Sequence, residues 1–153
     1  MRFADTHCHL DFSAFDQTRE QLLSVCQASS IDLIVLPATK RRGWDKIIEI
    51  CQKKSQLKYS LGLHPYFLNE HEDSHLDVLD LYLAQQKSKV VAVGELGLDA
   101  FVDDMARQYF FLESQLFLAA KYCLPIILHS RKTHNQLIQC LKRYSLVGGV
   151  VHA

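Results

Sequence analysis

The stretch "KVVAVGELGLD", residues 89–99, opens on an unbroken apolar run and then delivers two carboxylates, Glu95 and Asp99. A short run of Val and Ala without polar alternation suits a strand covered on both faces, the usual condition of strands in a parallel sheet. Four more runs share this form: "IDLIVL" (31–36), "LKYSLG" (57–62), "LPIILH" (124–129) and "VGGVVH" (147–152). A short extended start over residues 3–9 makes a sixth strand.

Helix-patterned segments lie between these runs. Residues 17–28 carry Leu22, Leu23 and Val25 in a polar setting. Residues 44–54 place Trp44, Ile47, Ile48 and Cys51 at i, i+3, i+4 and i+7. Residues 75–86 align Leu76, Leu79 and Leu83, residues 104–122 are amphipathic through Leu112 and Leu116, and residues 134–144 follow Thr133 as an N-cap. The alternation predicts one α/β domain over residues 1–153 with six strands and five helices. Its parallel sheet is either open and doubly wound or a (β/α) barrel. No G-x-G-x-x-G and no P-loop is present, so a dinucleotide or Walker-type fold loses support.

With 48% hydrophobic and 22% charged residues, the 153-residue chain has an ordinary globular composition. The net charge is zero, which removes the global basic field of a nucleic-acid coat protein but leaves room for a local phosphate site. Cys8, Cys26, Cys51, Cys123 and Cys140 are odd in number and never form C-x-x-C, so they read as reduced core thiols and point to a cytoplasmic protein. No apolar run is long enough for a bilayer, and the start lacks the apolar region of a signal peptide.

The polar residues at the strand ends carry the chemistry. The first strand leads into His7 and His9 in "DTHCHLD", the third into His64 in "GLHP", and the fourth into Glu95. The fifth leads into His129 and Arg131 in "LHSR", and the sixth into His152 in "VVHA". Five of six strands thus deliver a histidine or glutamate at their C-terminal ends, where α/β barrels gather catalytic groups. Burying five such groups unpaired is costly, so they read as one site rather than as scattered core residues. Imidazoles aimed at one point suit a metal, and adding a carboxylate with two oxygens makes a two-metal centre for phosphoester cleavage plausible.

These motifs, in this order from residue 3 to residue 153, resemble those of the TatD-type DNases, metal-dependent hydrolases of the amidohydrolase-like barrel class. "HSRKTH" and "KVVAVGELGLD" look closest to the YjjV-like branch. The resemblance implies a (β/α)₈ TIM-type barrel, two divalent ions (Zn, Mn or Mg) and 3′→5′ exonuclease activity on DNA. Carried over by position, it implies that His7 and His9 hold one metal, His129 and His152 the other, and that Glu95 bridges them as the catalytic carboxylate. His64 and Arg131 are then substrate-binding groups near the phosphate, a role that suits Arg131's planar fork of donors.

Several secondary readings accompany this. Lys40, Arg41 and Arg42 in "TKRRGW" follow the second strand, where they either rim the mouth and attract a DNA backbone or simply begin a solvated helix. "NEHEDSH" (69–75) reads as a surface loop, Asp5 as either a carboxylate bracing the histidine pair or a structural strand residue, and Asp99 as a residue shaping the loop after strand four.

A complete eight-stranded barrel needs about 250 residues. Here only six strands are counted, and no residue matches the aspartate that the family carries after its last strand. The expectation is therefore an incomplete barrel, the N-terminal part of a longer hydrolase or a truncated frame. Such a chain is a monomer in its full-length form and prone to association through free edges when truncated. The competing expectations are a metal-dependent ester or amide hydrolase, such as an aminoacyl-ester deacylase, and an inactive remnant.

Overall fold

The computed structural model describes residues 1–85 and 89–152. Six strands, β1 (Phe3–Asp5), β2 (Ile31–Pro37), β3 (Leu57–Leu61), β4 (Val90–Asp99), β5 (Ile126–Arg131) and β6 (Gly149–His152), form one parallel sheet in sequential order. The sheet curls into an incomplete barrel. Five helices alternate with the strands: α1 (Arg19–Ala28), α2 (Trp44–Lys53), α3 (Ser74–Gln85), α4 (Met105–Tyr122) and α5 (His134–Leu141). The predicted helix 75–86 ends on a residue outside the described ones, as does the final Ala153 of "VVHA". Among the described residues, no helix is long and apolar enough to cross a membrane, and all five cysteines are free thiols.

The unbroken apolar runs fill two clusters. Ile34 and Leu36 of β2 enter the main core with Trp44, Ile47, Leu57, Leu61, Leu79, Leu96, Leu98, Leu112 and Leu116. Val35, between them, joins Ala92 and Ile127 in a smaller cluster. Successive side chains of a strand point to opposite faces, so β2 is covered on both sides as its sequence predicts. The edge strands differ. β1 and β6 are exposed along their whole length, because each has a strand neighbour on one side only.

Element bounds shift where the site is built. β1 stops at Asp5, so His7 and His9 lie in the irregular segment beyond it rather than in a strand. β4 and β5 run further than expected, so Glu95 and His129 sit inside strands. The cause is a register shift between Val93 and Leu96, after which pairing resumes as Gly97↔His129 and Asp99↔Arg131. Thr133 does precede α5, but its hydroxyl donates to the Leu98 carbonyl of β4 at 2.9 Å instead of capping the helix.

Two glutamines of α4, two helical turns apart, fix the backbone that carries the site. The Gln115 side chain accepts from Leu63 N–H at 2.8 Å and donates to the Leu63 carbonyl at 3.2 Å. Gln108 does the same to Asp99, at 2.8 and 3.1 Å. Both amides are buried, so each satisfies two backbone groups that would otherwise be orphaned at the end of a strand.

Candidate metal centre

Glu95 stands at the middle of the centre, 2% exposed. Its Oε2 lies 3.3 Å from His7 Nε2 and 3.8 Å from His9 Nε2. Its Oε1 lies 3.2 Å from His64 Nε2 and 3.5 Å from His129 Nδ1. Each carboxylate oxygen therefore faces its own pair of imidazoles. Burial alone would raise the Glu95 pKa, but the imidazoles of His129, His64 and His7 outweigh it and hold the carboxyl well below the usual range.

The His7–His9 pair has the geometry of two ligands. Their Nε2 atoms are 3.3 Å apart, and two nitrogens about 2.0–2.1 Å from one tetrahedral ion stand about 3.3–3.4 Å apart. Both Nδ1 atoms are buried and make no close hydrogen bond among the described residues. With the ring protons there, two Nε2 lone pairs converge on one point, an arrangement that a cation relieves. His/carboxylate donor sets of this kind suit Zn²⁺ and Mn²⁺. Burial, followed by the neighbouring His7, lowers the His9 pKa and favours the neutral ligand form.

Two carboxylates back the histidines. Asp99, buried at the end of β4, faces His129 Nε2 across 3.1 Å and also accepts from Phe101 N–H at 2.9 Å, the loop-shaping role expected of it. Neutral and with its Nε2 proton on Asp99, His129 leaves an Nδ1 lone pair on the Glu95 side; protonated, it donates to both carboxylates. Burial lowers the His129 pKa, yet hydrogen bonds to Glu95 and Asp99 prevail and hold it above the ordinary value. Asp11 lies 4.0 Å from His9 Nδ1, and burial pushes its pKa up to about 6. Asp5, which reads as either a brace for the histidine pair or a structural strand residue, ends β1 and accepts from the His7 backbone N–H at 3.0 Å. Replacing Asp99 with asparagine is expected to weaken metal affinity about 10–100-fold, the usual cost of losing a carboxylate behind a histidine ligand. Titration with Zn²⁺ followed by calorimetry checks this.

His64 caps the turn Pro65–Glu70, and its Nδ1 accepts from Tyr66 N–H at 3.0 Å. Its neutral form therefore carries the proton on Nε2, facing Glu95. His64, Glu95 and His129 close into one donor group, and His7, His9 and Glu95 into the other. His152 is level with His129 across β5 and β6, and its ring stacks on His7 at 3.9 Å. Arg131 is more than half exposed, with its guanidinium 4.2 Å over the Phe101 ring and 4.0 Å from Asp99.

The structure revises two readings outside the centre. His71 is buried, not on a surface loop, and its Nε2 donates to the His64 carbonyl at 2.9 Å. Burial pushes its pKa down to about 4. The native state thus keeps His71 neutral, while the unfolded chain takes up a proton near pH 6.5. This contribution is full above pH 6.5 and is lost as pH falls towards 4. Stability is expected to drop by about 2 kcal/mol between pH 7 and pH 5 from this group. A His71→Gln variant should lose that part of the slope in urea unfolding at the two pH values. The basic triplet is also largely spent on acids: Arg41 pairs with Asp45 at 3.1 Å, and Lys40 and Arg42 pair with Glu70 at 3.0 and 3.2 Å.

Comparison with known proteins now decides the family. The family model described as TatD related DNase matches residues 4–153. The chain belongs to the TatD family. It is 44% identical to the "Uncharacterized metal-dependent hydrolase YjjV" of Escherichia coli (strain K12), over 99% of this chain and 60% of that protein. The crystal structure of that TatD homologue superposes with a TM-score of 0.94 at 43% identity, covering 99% of this chain and 60% of its own. The "3'-5' ssDNA/RNA exonuclease TatD" of Cronobacter turicensis is 27% identical, over 97% of this chain and 57% of that protein. The chain therefore spans about 60% of the length of the TatD relatives it matches. It has an α/β fold, and its histidine–glutamate groups could hold a metal ion, in keeping with a family of metal-dependent hydrolases.

Proposed function

We propose that this site hydrolyses phosphodiester bonds, releasing nucleotides from the 3′ end of DNA with two divalent ions (Zn, Mn or Mg). One observation carries the reading: the two oxygens of the buried Glu95 carboxylate face different ligand imidazoles, Oε2 those of His7 and His9 and Oε1 that of His129. That is the disposition of a carboxylate shared between two cations. When bound, such ions supply Lewis acidity and a water of lowered pKa. The exonuclease name of the Cronobacter relative supports the choice of substrate.

The chain's own residues divide the remaining work. His7 and His9 would hold one ion through Nε2, with Asp11 behind His9. His129, oriented by Asp99, would hold the other, with His152 beside it on β6. Glu95 would serve both. His64 presents an Nε2–H, a donor suited to a phosphoryl oxygen rather than a lone pair for a metal. Arg131 offers its fork from the end of β5 to the same phosphate.

The test uses a 5′-labelled single-stranded oligonucleotide with Mg²⁺, Mn²⁺ or Zn²⁺. A ladder shortening from the 3′ end, lost with EDTA and in Glu95→Gln, is the expected result. Intact DNA alongside turnover of an aminoacyl ester would reassign the centre to ester or amide hydrolysis. Turnover of neither substrate would leave the chain an inactive remnant.

A further inference from the structure

We infer that the cavity between Phe12 and Phe67, beside the metal centre, is a nucleobase site with Lys40 placed for the attached phosphate; this rests on the phosphodiesterase reading. The cavity measures about 340 Å³ and is lined by Phe12, Ser13, Ala14, Lys40 and Phe67, within the size range of small-ligand sites. Its walls belong to the segments that carry the histidines. Phe12 lies three residues after His9, its ring stacked on that imidazole at 4.9 Å and 15°. Phe67 follows His64 in the turn Pro65–Glu70, with its ring 6.2 Å from the imidazole. The walls of the cavity thus each meet one histidine of a donor group around Glu95.

The lining selects the ligand class. Phe12 is 43% exposed beside a polar centre, although burying a phenyl ring is worth about 1.5–3 kcal/mol. Lys40 Nζ stands 4.0 Å over the Phe67 ring and 3.0 Å from Glu70. An apolar ligand would gain nothing from the ammonium, which Glu70 engages through one carboxylate oxygen, and a free inorganic anion would leave two aromatic walls unused. A flat ring joined to a phosphate uses both. Arg41 and Arg42 do not line this cavity. Stacking serves every base, because each has a π-face, so the site is expected to favour base-bearing single strands with little sequence preference.

The experiment compares two oligonucleotides that are identical except that one has abasic residues at its 3′ end. Stacking worth about 1–3 kcal/mol per base predicts that wild type favours the base-bearing strand by roughly 5–150-fold in kcat/KM. Phe12→Ala should lose this preference, the ratio of kcat/KM between the two strands falling towards one whatever the absolute rate, and Phe12→Trp should keep it. Binding of fluorescent oligothymidylate in EDTA gives a readout free of turnover, and Phe12→Ala should weaken it. Equal slowing of both strands by Phe12→Ala, or a wild type indifferent to the bases, would overturn the base site while the nuclease reading stands. Base-dependent binding through Phe12 without DNA cleavage would support the site while the nuclease reading falls. Neither binding nor cleavage of the base-bearing strand would overturn both.

Discussion

Replacing Glu95 with glutamine is expected to abolish metal-dependent hydrolysis, by about 10³-fold or more in kcat/KM, while leaving the chain folded. The amide has nearly the shape of the carboxylate, so the packing around this buried position is preserved. What disappears is the negative charge that both donor groups share. A centre of neutral imidazoles alone must then hold two dications, and several kcal/mol of charge stabilisation go with the lost carboxylate. About 4 kcal/mol corresponds to the stated factor. A second readout needs no metal. Hydrogen bonds to Glu95 and Asp99 hold the His129 pKa above its ordinary value, so Glu95→Gln should lower it, as followed by NMR titration of the imidazole. Full activity, or an unmoved His129 titration, would refute the central role of Glu95.

The sequence shows the strand order and the donors because each donor directly follows an apolar run. His7, His9, His64, Glu95, His129 and His152 can all be read this way, and the structure brings them to one end of the sheet. The supporting contacts could not be read in the same manner. Gln108 and Gln115 look like the polar residues of an amphipathic helix, and only the tertiary fold brings Asp99 and Leu63 to them. His71 sits among acids in "NEHEDSH", and nothing in that composition reveals the His64 carbonyl that it meets. Asp5 and Asp11 flank the histidine pair alike in sequence. The chain path after β1 turns Asp5 to a backbone N–H and leaves Asp11 buried near an imidazole. The triplet Lys40, Arg41 and Arg42 reads as either a basic rim or a solvated helix start, and only the fold brings Glu70, thirty residues from Lys40, against it. Local pattern thus picks out the candidate donors, whereas the groups that orient them depend on contacts distant in sequence.

Gly97→Ala is expected to cost about 4 kcal/mol or more, a large part of the roughly 5–15 kcal/mol that holds a domain together. Gly97 has φ of +154°, and a Cβ built there would lie 2.0 Å from the His129 carbonyl oxygen. The oxygen belongs to backbone and a Cβ is fixed by its own backbone, so no side chain can rotate away to make room. The strained conformation alone costs about 1–3 kcal/mol for a residue with a side chain, and the overlap adds to it by forcing β4 from β5 at the pair Gly97↔His129. That displacement carries His129 away from Glu95, so the variant should also lose metal affinity in whatever fraction remains folded. Gly43→Ala provides the control: its φ is −90°, and a Cβ there meets nothing within 4 Å. It should be neutral or stabilising by about 0.4–1 kcal/mol. Urea unfolding of the two variants separates the cases. A Gly97→Ala protein within about 1 kcal/mol of wild type would show that β4 and β5 can part at no cost. The close approach at Gly97 would then not be what holds His129 beside Glu95.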